Sequence, residues 1–501
     1  MDRNISKAKL ASKKRRNRTI MIIGLSCAVI QLILTVVFIV MLNRLDILTL
    51  EYKILIDTLL ILFCVITALT QRWLVLGILT KIGSVLTSIL LIVGSFYISI
   101  TQNMIDKIDA NYFKLSEIGV YVSVDDPTED VTLLKGGTFG IIEKLERENT
   151  DKALDKLETD IGETPNCKEY DGVVNLTEAL KSGEIKAMVV NTSYLSMLYD
   201  MEEYKDLEGS IKCIKTYSIK TYMEKPKPQE NNDYLASDDC VTIYISGIDR
   251  YGSPNINSNS DVNIICTINK TTHQVLLLST PRDFYVETTV SGANRDKLTH
   301  AGAYGVDVSE ATLENLYGIN IDYYMKINFS GFESVIDALG GIDVYSQYDF
   351  TAYHGGYHYH QGMNRLNGKQ ALGFARERYS FGAGDRQRGR NQMEVIKGMI
   401  NKITSKDMLM NYAGVMNSLS ESIVTNMPQD EITSFFKLQL DENPSWDILT
   451  YSVNGKSSLE YTYSLPNKPV YVMIPNEEKI QTAKSYLDLL HRNEHVTIDE
   501  E

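Results

Sequence analysis

The chain has 501 residues, a formal net charge of −14 and a hydrophobic share of 44%. That length exceeds one ordinary hydrophobic core, and the acidic balance excludes a generally basic protein that coats nucleic acid. Six cysteines without a CxxC pairing give no cysteine-based metal site and leave only Cys167 and Cys213 as a candidate disulfide.

Residues 1–18 form a basic tail in which Arg3, Lys7, Lys9, Lys13, Lys14, Arg15, Arg16 and Arg18 face one acid, Asp2. Thr19 to Leu42 then runs uncharged for long enough to cross a hydrocarbon layer as a helix, and it carries no signal-peptidase pattern. The pair predicts an anchor with its basic end in the cytoplasm. Ile54 to Thr70, with Asp57 near one end, and Ile82 to Ile100 predict two further spans, with Arg72 and Lys81 flanking the turn between them. Residues 19–100 therefore read as a three-helix membrane anchor that delivers the rest of the chain outside the cell.

About 400 residues follow, enough for two domains. Residues 101–223 read as a mixed α/β accessory domain, with strands over Gly119 to Val124 and Lys186 to Asn191 and a helix-like segment from Thr138 to Leu157. A polar stretch with two prolines, 224–238, reads as a linker. From 239 to 496 strands alternate with helices. Val241 to Ser246 alternates as a half-buried strand, and Val262 to Ile268 and Val275 to Leu278 read as further strands. Asp307 with Glu310, ahead of a helix ending at Gly318, and Ser330 with Glu333 have capping-box spacing. This is the order of a layered α/β domain with a central mixed sheet, in which ligands gather beyond strand ends.

Between Arg376 and Arg390 stand five arginines, a concentration foreign to so acidic a chain. Asp385, Arg388, Gln392, Ile396, Met399 and Ile403 share one face of a helix, polar for two turns and apolar beyond. If the apolar half is buried against a core, Arg388 is turned inward too, and an inward guanidinium requires an anion. Phosphate suits its bidentate fork. His354, His358 and His360 lie in a Tyr- and Gly-rich stretch that reads as a hairpin. No acid stands close behind them, so zinc is not expected there.

Gly247-Ile-Asp249, Ser260-Asp261, Thr280-Pro-Arg282-Asp283, Asp296 to Ala301, Ala371 to Arg378 and Asp385 to Gln392 together resemble the LytR-CpsA-Psr (LCP) family over roughly half of the chain. Within it, the three-span anchor and extra domain resemble the streptococcal capsule-locus members. The resemblance implies a phosphotransferase that moves capsular polysaccharide, a glycopolymer, from an undecaprenyl-pyrophosphate carrier to the peptidoglycan of a Gram-positive cell wall, with pyrophosphatase side activity. It implies Mg²⁺ at Asp249 and Asp261. Arg282, Arg376, Arg378 and Arg388 would neutralise the pyrophosphate, Lys297 would add a cation, Gln392 a hydrogen bond, and Asp385 would orient the arginines. The family places Arg directly before Ser260-Asp261, where this chain has Asn259, so either transfer is weakened or Arg250 reaches that phosphate instead. The partners implied are the polyprenyl-linked glycopolymer, peptidoglycan, the membrane and capsule assembly proteins, with no nucleic acid. The alternative is a non-catalytic membrane regulator of capsule biosynthesis or transcription that senses polyprenyl phosphate.

Overall fold

The structure, a computed structural model, describes residues 2–498 apart from 46–47, 49, 72, 111–112, 200, 224–238, 291, 293, 383 and 406–407. The expected linker and Arg72 lie outside the described residues. The chain forms two compact units, Met1–Asp106 with Pro428–Asn443, and Lys107–Met427 with Pro444–Glu501.

The first unit holds the three apolar runs as helices Asp2–Leu45, Leu50–Thr70 and Leu74–Ala110, all long and apolar enough to cross a membrane. Aliphatic side chains such as Ile33, Val40, Leu59, Leu69, Leu79 and Leu90 occupy many of their exposed positions. The side chains between them include small polar ones: the Thr35 hydroxyl is 3.5 Å from the Cys64 sulfur, Thr70 is 2.8 Å from Thr80, and Ser84 donates to the Cys27 carbonyl. Such contacts supply directional packing where the surroundings are as apolar as leucine. The third helix starts earlier than the sequence suggested. Lys81 lies within it rather than in a turn, because nothing after Trp73 breaks the helical run, and its aliphatic stem lies against Gly24.

In the second unit, a five-stranded sheet comes first: β1 (Phe113–Ser123), β2 (Thr138–Ile142), β3 (Asn166–Tyr170), β4 (Ala187–Asn191) and β5 (Ile211–Tyr222), in the order β3-β2-β4-β1-β5. Thr138 to Leu157 is therefore not one helix. Its first part is β2, and the helix Arg147–Ile161 follows. Gly140 lets the helix Val173–Lys181 pack closely on this strand, since a Cβ there would stand 2.4 Å from side-chain carbons of Leu176 and Ile185. Cys167 and Cys213 sit on the two opposite edge strands and are both free, which rules out the disulfide by distance.

The second sheet begins with β6 (Cys240–Ile248), β7 (Ser260–Asn269) and β8 (Gln274–Ser279), an antiparallel meander. After the ribbon of β9 (Tyr285–Glu287) and β10 (Arg295–Lys297), β11 (Tyr323–Asn328) returns parallel to β6. β12 (Ile342–Ser346), β13 (Phe350–Thr351), β14 (His358–Tyr359) and β15 (Gly362–Leu366) make two small ribbons, β12 with β15 and β13 with β14. β16 (Ile423–Thr425) and β17 (Asp447–Ser452) close the edges, so the central order is β16-β11-β6-β7-β8-β17, a mixed sheet; β18 (Gly455–Glu460) pairs with β19 (Val470–Pro475). The α/β expectation with a central mixed sheet holds.

Alternation decides what each face of this sheet meets. Tyr244, Ile265, Leu276, Leu278, Tyr324 and Val424 bury against helices Val306–Tyr317 and Glu477–His491. The expected caps of the shorter helices differ. Gly305 precedes Val306 without a side-chain cap, although Gly318 ends that helix in the left-handed region (φ 64°) as expected. Asn328, not Ser330, caps the helix Phe329–Ala338, because its carboxamide already accepts from Gly331 N–H. The five-stranded sheet shares a core with elements flanking the second one: Ala303 of the helix Leu298–Tyr304, Leu465, and Val470 and Val472 of β19 pack with Leu176, Met188 and Tyr194.

Candidate functional site

Ile243, Ile245, Cys266, Ile268, Met325, Ile327 and Ile423, on the face opposite that core, do not meet a packed layer. They line a cavity of about 490 Å³. The helix Asp385–Ile403 forms another wall, and it approaches closely because residue 389 is glycine: a Cβ there would be 2.8 Å from the Ser279 hydroxyl. Ile396, Met399 and Ile403 are turned inward as their spacing predicts. What they face is the cavity rather than a solid core.

Charge and apolarity run along the cavity in one direction. On β6 and β7 the carboxylates Asp249 and Asp261 stand at the strand ends, and Ile243 pairs with Cys266 farther in. On the helix, Arg388 and Gln392 occupy the first turns and the aliphatic residues follow. The two charged ends coincide, since Arg388 Nη1 lies 3.9 Å from Asp261 Oδ2. Exposed Tyr379 marks this end as the opening.

Four arginines converge there. Arg282, in the loop after β8, is buried with Nη1 2.8 Å from Asp261 Oδ1. Arg388 pairs with Asp385, one turn before it. Arg376 ends the helix Gly368–Arg376, stacks 4.3 Å over the Phe329 ring and lies 3.7 Å from Asp249. Arg378 follows after one extended residue and receives support from Tyr379, whose hydroxyl accepts from Nη2 at 2.7 Å. The sequence set one acid against five arginines. The fold instead meets Arg282, Arg376 and Arg388 with Asp249, Asp261 and Asp385, while Arg386 and Arg390 are exposed. Loss of water at the cavity wall, and then the negative charge of Asp261, raise the Asp249 pKa against the pull of the arginines. Burial likewise raises that of Asp385, opposed by Arg388.

The supports are equally specific. Asn391 and Gln392 donate to the carbonyls of Phe374 and Ala375, locking the two arginine-bearing helices together. Between Arg376 and Arg378, fully buried Glu377 accepts backbone N–H groups of Tyr353, Tyr379 and Ser380. Burial opposes its ionisation, but those bonds hold its pKa below the usual range. Glu377, Phe329 and Tyr379 escaped the sequence reading, and His354, weighed there only as a metal ligand, lines the cavity. Only Glu377 carried a signal, an acid enclosed by two arginines.

Two expected phosphate contacts point elsewhere. Arg250 Nη2 lies 2.9 Å from Glu117 Oε2 on β1, so its charge is taken by the accessory sheet. Lys297 is buried, with Nζ 3.1 Å from Asp283, and does not line the cavity. Burial opposes ionisation of Asp283, but Lys297 and Arg282 beside it hold its pKa low. Asn259 is buried and is also absent from the cavity wall.

The loop between the two cavity acids is stitched down along its length. Leu115 of β1 donates to the Asn255 carbonyl and accepts from Asn257 N–H, at 3.0 and 2.9 Å. The Ser193 hydroxyl reaches the Asn257 carbonyl, Asn328 the Gly252 carbonyl, and the Lys326 ammonium the Ile256 carbonyl. Burial pushes the Lys326 pKa down to about 7.

Asp249 and Asp261 offer hard carboxylate oxygens beside a cationic recess, a donor set that fits Mg²⁺ sharing phosphate oxygens.

Known proteins share this part of the chain. A polyisoprenyl-teichoic acid–peptidoglycan teichoic acid transferase TagU of Bacillus anthracis is 33% identical over 234 residues, 45% of this chain and 76% of the relative. The TagU of Oceanobacillus iheyensis is 32% identical over 213 residues, 41% of this chain and 65% of its own length. Among solved structures, B. subtilis TagV aligns at a TM-score of 0.44 and 25% identity, covering 52% of this chain and all of the other. The sequence model of the LytR_cpsA_psr family matches residues 209–484, which include every residue of the charged recess, and with over half of its length matched the chain belongs to that family.

Proposed function

We propose that this protein is a membrane-anchored glycopolymer transferase. It moves a polymer, capsular polysaccharide in this reading, from a polyprenyl-pyrophosphate carrier to peptidoglycan on the outer side of a Gram-positive cell membrane. The observation that carries the reading is the one-directional cavity: arginines and carboxylates at its opening, aliphatic walls beyond. A polyprenyl pyrophosphate has the same polarity, a diphosphate followed by a long hydrocarbon. The relatives' names, which pair a polyisoprenyl-linked polymer with peptidoglycan, support the chemistry. The three apolar helices support the location, since an odd number of spans from a cytoplasmic basic tail carries the second unit outside.

In this reading Arg282, Arg376, Arg378 and Arg388 hold the diphosphate, Gln392 adds a hydrogen bond, and Asp385 fixes Arg388 in place. Asp249 and Asp261 would hold Mg²⁺, which when bound neutralises phosphate oxygens and sharpens the electrophilic phosphorus. An acceptor hydroxyl attacks the sugar-side phosphorus, the bridging P–O bond breaks, and polyprenyl monophosphate leaves with the new charge. Fixed guanidinium groups stabilise that charge more as it develops than before, which lowers the barrier. Water in place of the acceptor gives pyrophosphatase side activity.

The test uses full-length protein in detergent with a polyprenyl-pyrophosphate oligosaccharide and peptidoglycan fragments, following label transfer and release of polyprenyl monophosphate. Wild type should transfer, and Arg388→Ala should lower the rate by roughly 10²–10³. Tight lipid binding without transfer at any Mg²⁺ concentration would overturn the transferase and leave the lipid-sensing regulator.

A further inference from the structure

Outside the recess, the β13–β14 ribbon assembles a group that the sequence spacing concealed. Thr351 pairs with His358 and Phe350 with Tyr359, so one step farther Asp349 stands across from His360. Along the strand His358 and His360 are two residues apart and project to one side. The intervening Tyr359 points the other way, is buried, and donates to the Gln370 carbonyl. Ligand atoms of Asp349, His358 and His360 all lie within 4.8 Å of one another. His358 Nε2 is 3.4 Å from Asp349 Oδ1, and His360 Nδ1 is 3.4 Å from Asp349 Oδ2.

We infer that Asp349, His358 and His360 form a binding site for a divalent transition-metal ion, zinc foremost. The separations argue for it. Bonds of about 2.0–2.1 Å in a tetrahedron put neighbouring ligand atoms roughly 3.3 Å apart; each imidazole nitrogen stands 3.4 Å from one of the two Asp349 oxygens, longer than a firm hydrogen bond and near that spacing, so a small turn of the carboxylate brings one oxygen to both. The tautomer is also arranged: the Thr351 hydroxyl lies 3.1 Å from His358 Nδ1 and leaves Nε2 for an ion, an outer contact of the kind that orients metal-binding imidazoles. Two imidazoles and one carboxylate suit zinc over magnesium, and the fourth position is left to water. All three residues are exposed, so an ion reaches them without opening the fold.

An ion here would cross-link a ribbon of two residue pairs whose connecting loop carries His354 to the cavity wall. The ribbon is also fastened on its inner side, by the bond from the Ser380 hydroxyl to the Thr351 carbonyl and by Phe350 and Tyr359 against Phe374. The inference is independent of the proposed transfer.

The experiment uses chelator-treated full-length protein in detergent, purified without a histidine tag and kept in millimolar Mg²⁺ to cover hard sites. Zinc is titrated against a chromophoric chelator. Wild type should bind one zinc that His358→Ala, His360→Ala and Asp349→Asn each weaken by roughly tenfold or more, while His495→Ala changes nothing. Thr351→Val should weaken it by roughly tenfold through the outer contact. Cobalt in the same place should give the intense visible bands of a four-coordinate ion. Unfolding midpoints of the metal-free variants, matched to wild type, verify the fold. Equal zinc affinity in wild type and the His358→Ala/His360→Ala double variant, or no uptake by wild type, would overturn the site.

Discussion

The five-stranded sheet of the accessory region and the six-stranded sheet beside it are built from similar aliphatic strands, yet their faces are used differently. In the first, Ile118, Val120, Phe139, Ile141 and Val189 fill one side against Leu157, and Met188 and Val190 fill the other against Leu176 and Tyr194. In the second, Tyr244, Ile265 and Tyr324 fill one side, while Ile243, Cys266 and Met325 on the other border open space. A buried aliphatic side chain is thus a stabilising core residue in one sheet and the wall of a cavity in the other. The difference lies in what packs opposite it, not in the strand itself.

The largest expected effect tests that distinction. Phe139→Ala should cost about 3–5 kcal/mol of stability, as for an enclosed aromatic. Ile243→Ala, which already lacks neighbours on one side, should cost only about 1–2 kcal/mol. Denaturant midpoints of the detergent-solubilised chain measure both, and equal losses would make the cavity an ordinary core. Filling the space sharpens the contrast further. Met399→Trp should leave the unfolding midpoint nearly unchanged, yet displace two or three lipid methylenes at about 0.8 kcal/mol each. Affinity for a long-chain polyprenyl phosphate should fall by roughly tenfold or more, while a short-chain diphosphate binds as before. Retained long-chain binding would place the lipid elsewhere.

The smallest effect concerns the charged opening. The raised pKa of Asp249 means that the folded state holds its proton more tightly than the unfolded chain does. Its contribution is present below the ordinary aspartate pKa and is lost as pH rises through the folded value. Asp249→Asn should flatten the pH dependence of the unfolding midpoint just above that range, most visibly without Mg²⁺. An unaltered profile would show that no unfavourable charge is held there.

Much of the site was legible because helical period is local: Asp385 to Ile403 was placed on one face by spacing alone, and Arg376 and Arg378 flanked one turn of chain. Period does not reveal whether an apolar face meets atoms or a void, so Ile396 and Met399 read as core. Long-range pairings were hidden for the same reason. Arg250 finds Glu117 in a different sheet, Lys297 finds Asp283 across a ribbon, and Asp349 reaches His360 only through strand register. Local rules also competed, as when Asn328 pre-empted Ser330 as the helix cap.

The stitched loop from Asp249 to Asp261 ties the accessory sheet to the charged recess. A free loop of that length would sample many backbone states, and fixing each residue costs about 1–2 kcal/mol in lost conformational entropy. Leu115, Glu117 and Ser193 help to impose that order as the protein folds. If the recess takes a diphosphate as proposed, the two acids are already held before it arrives, and little binding free energy is diverted to arranging them. On that proposal, loosening these tethers would lower the fraction of molecules ready to bind while leaving every residue of the recess intact, and the accessory sheet would act on affinity through pre-organisation.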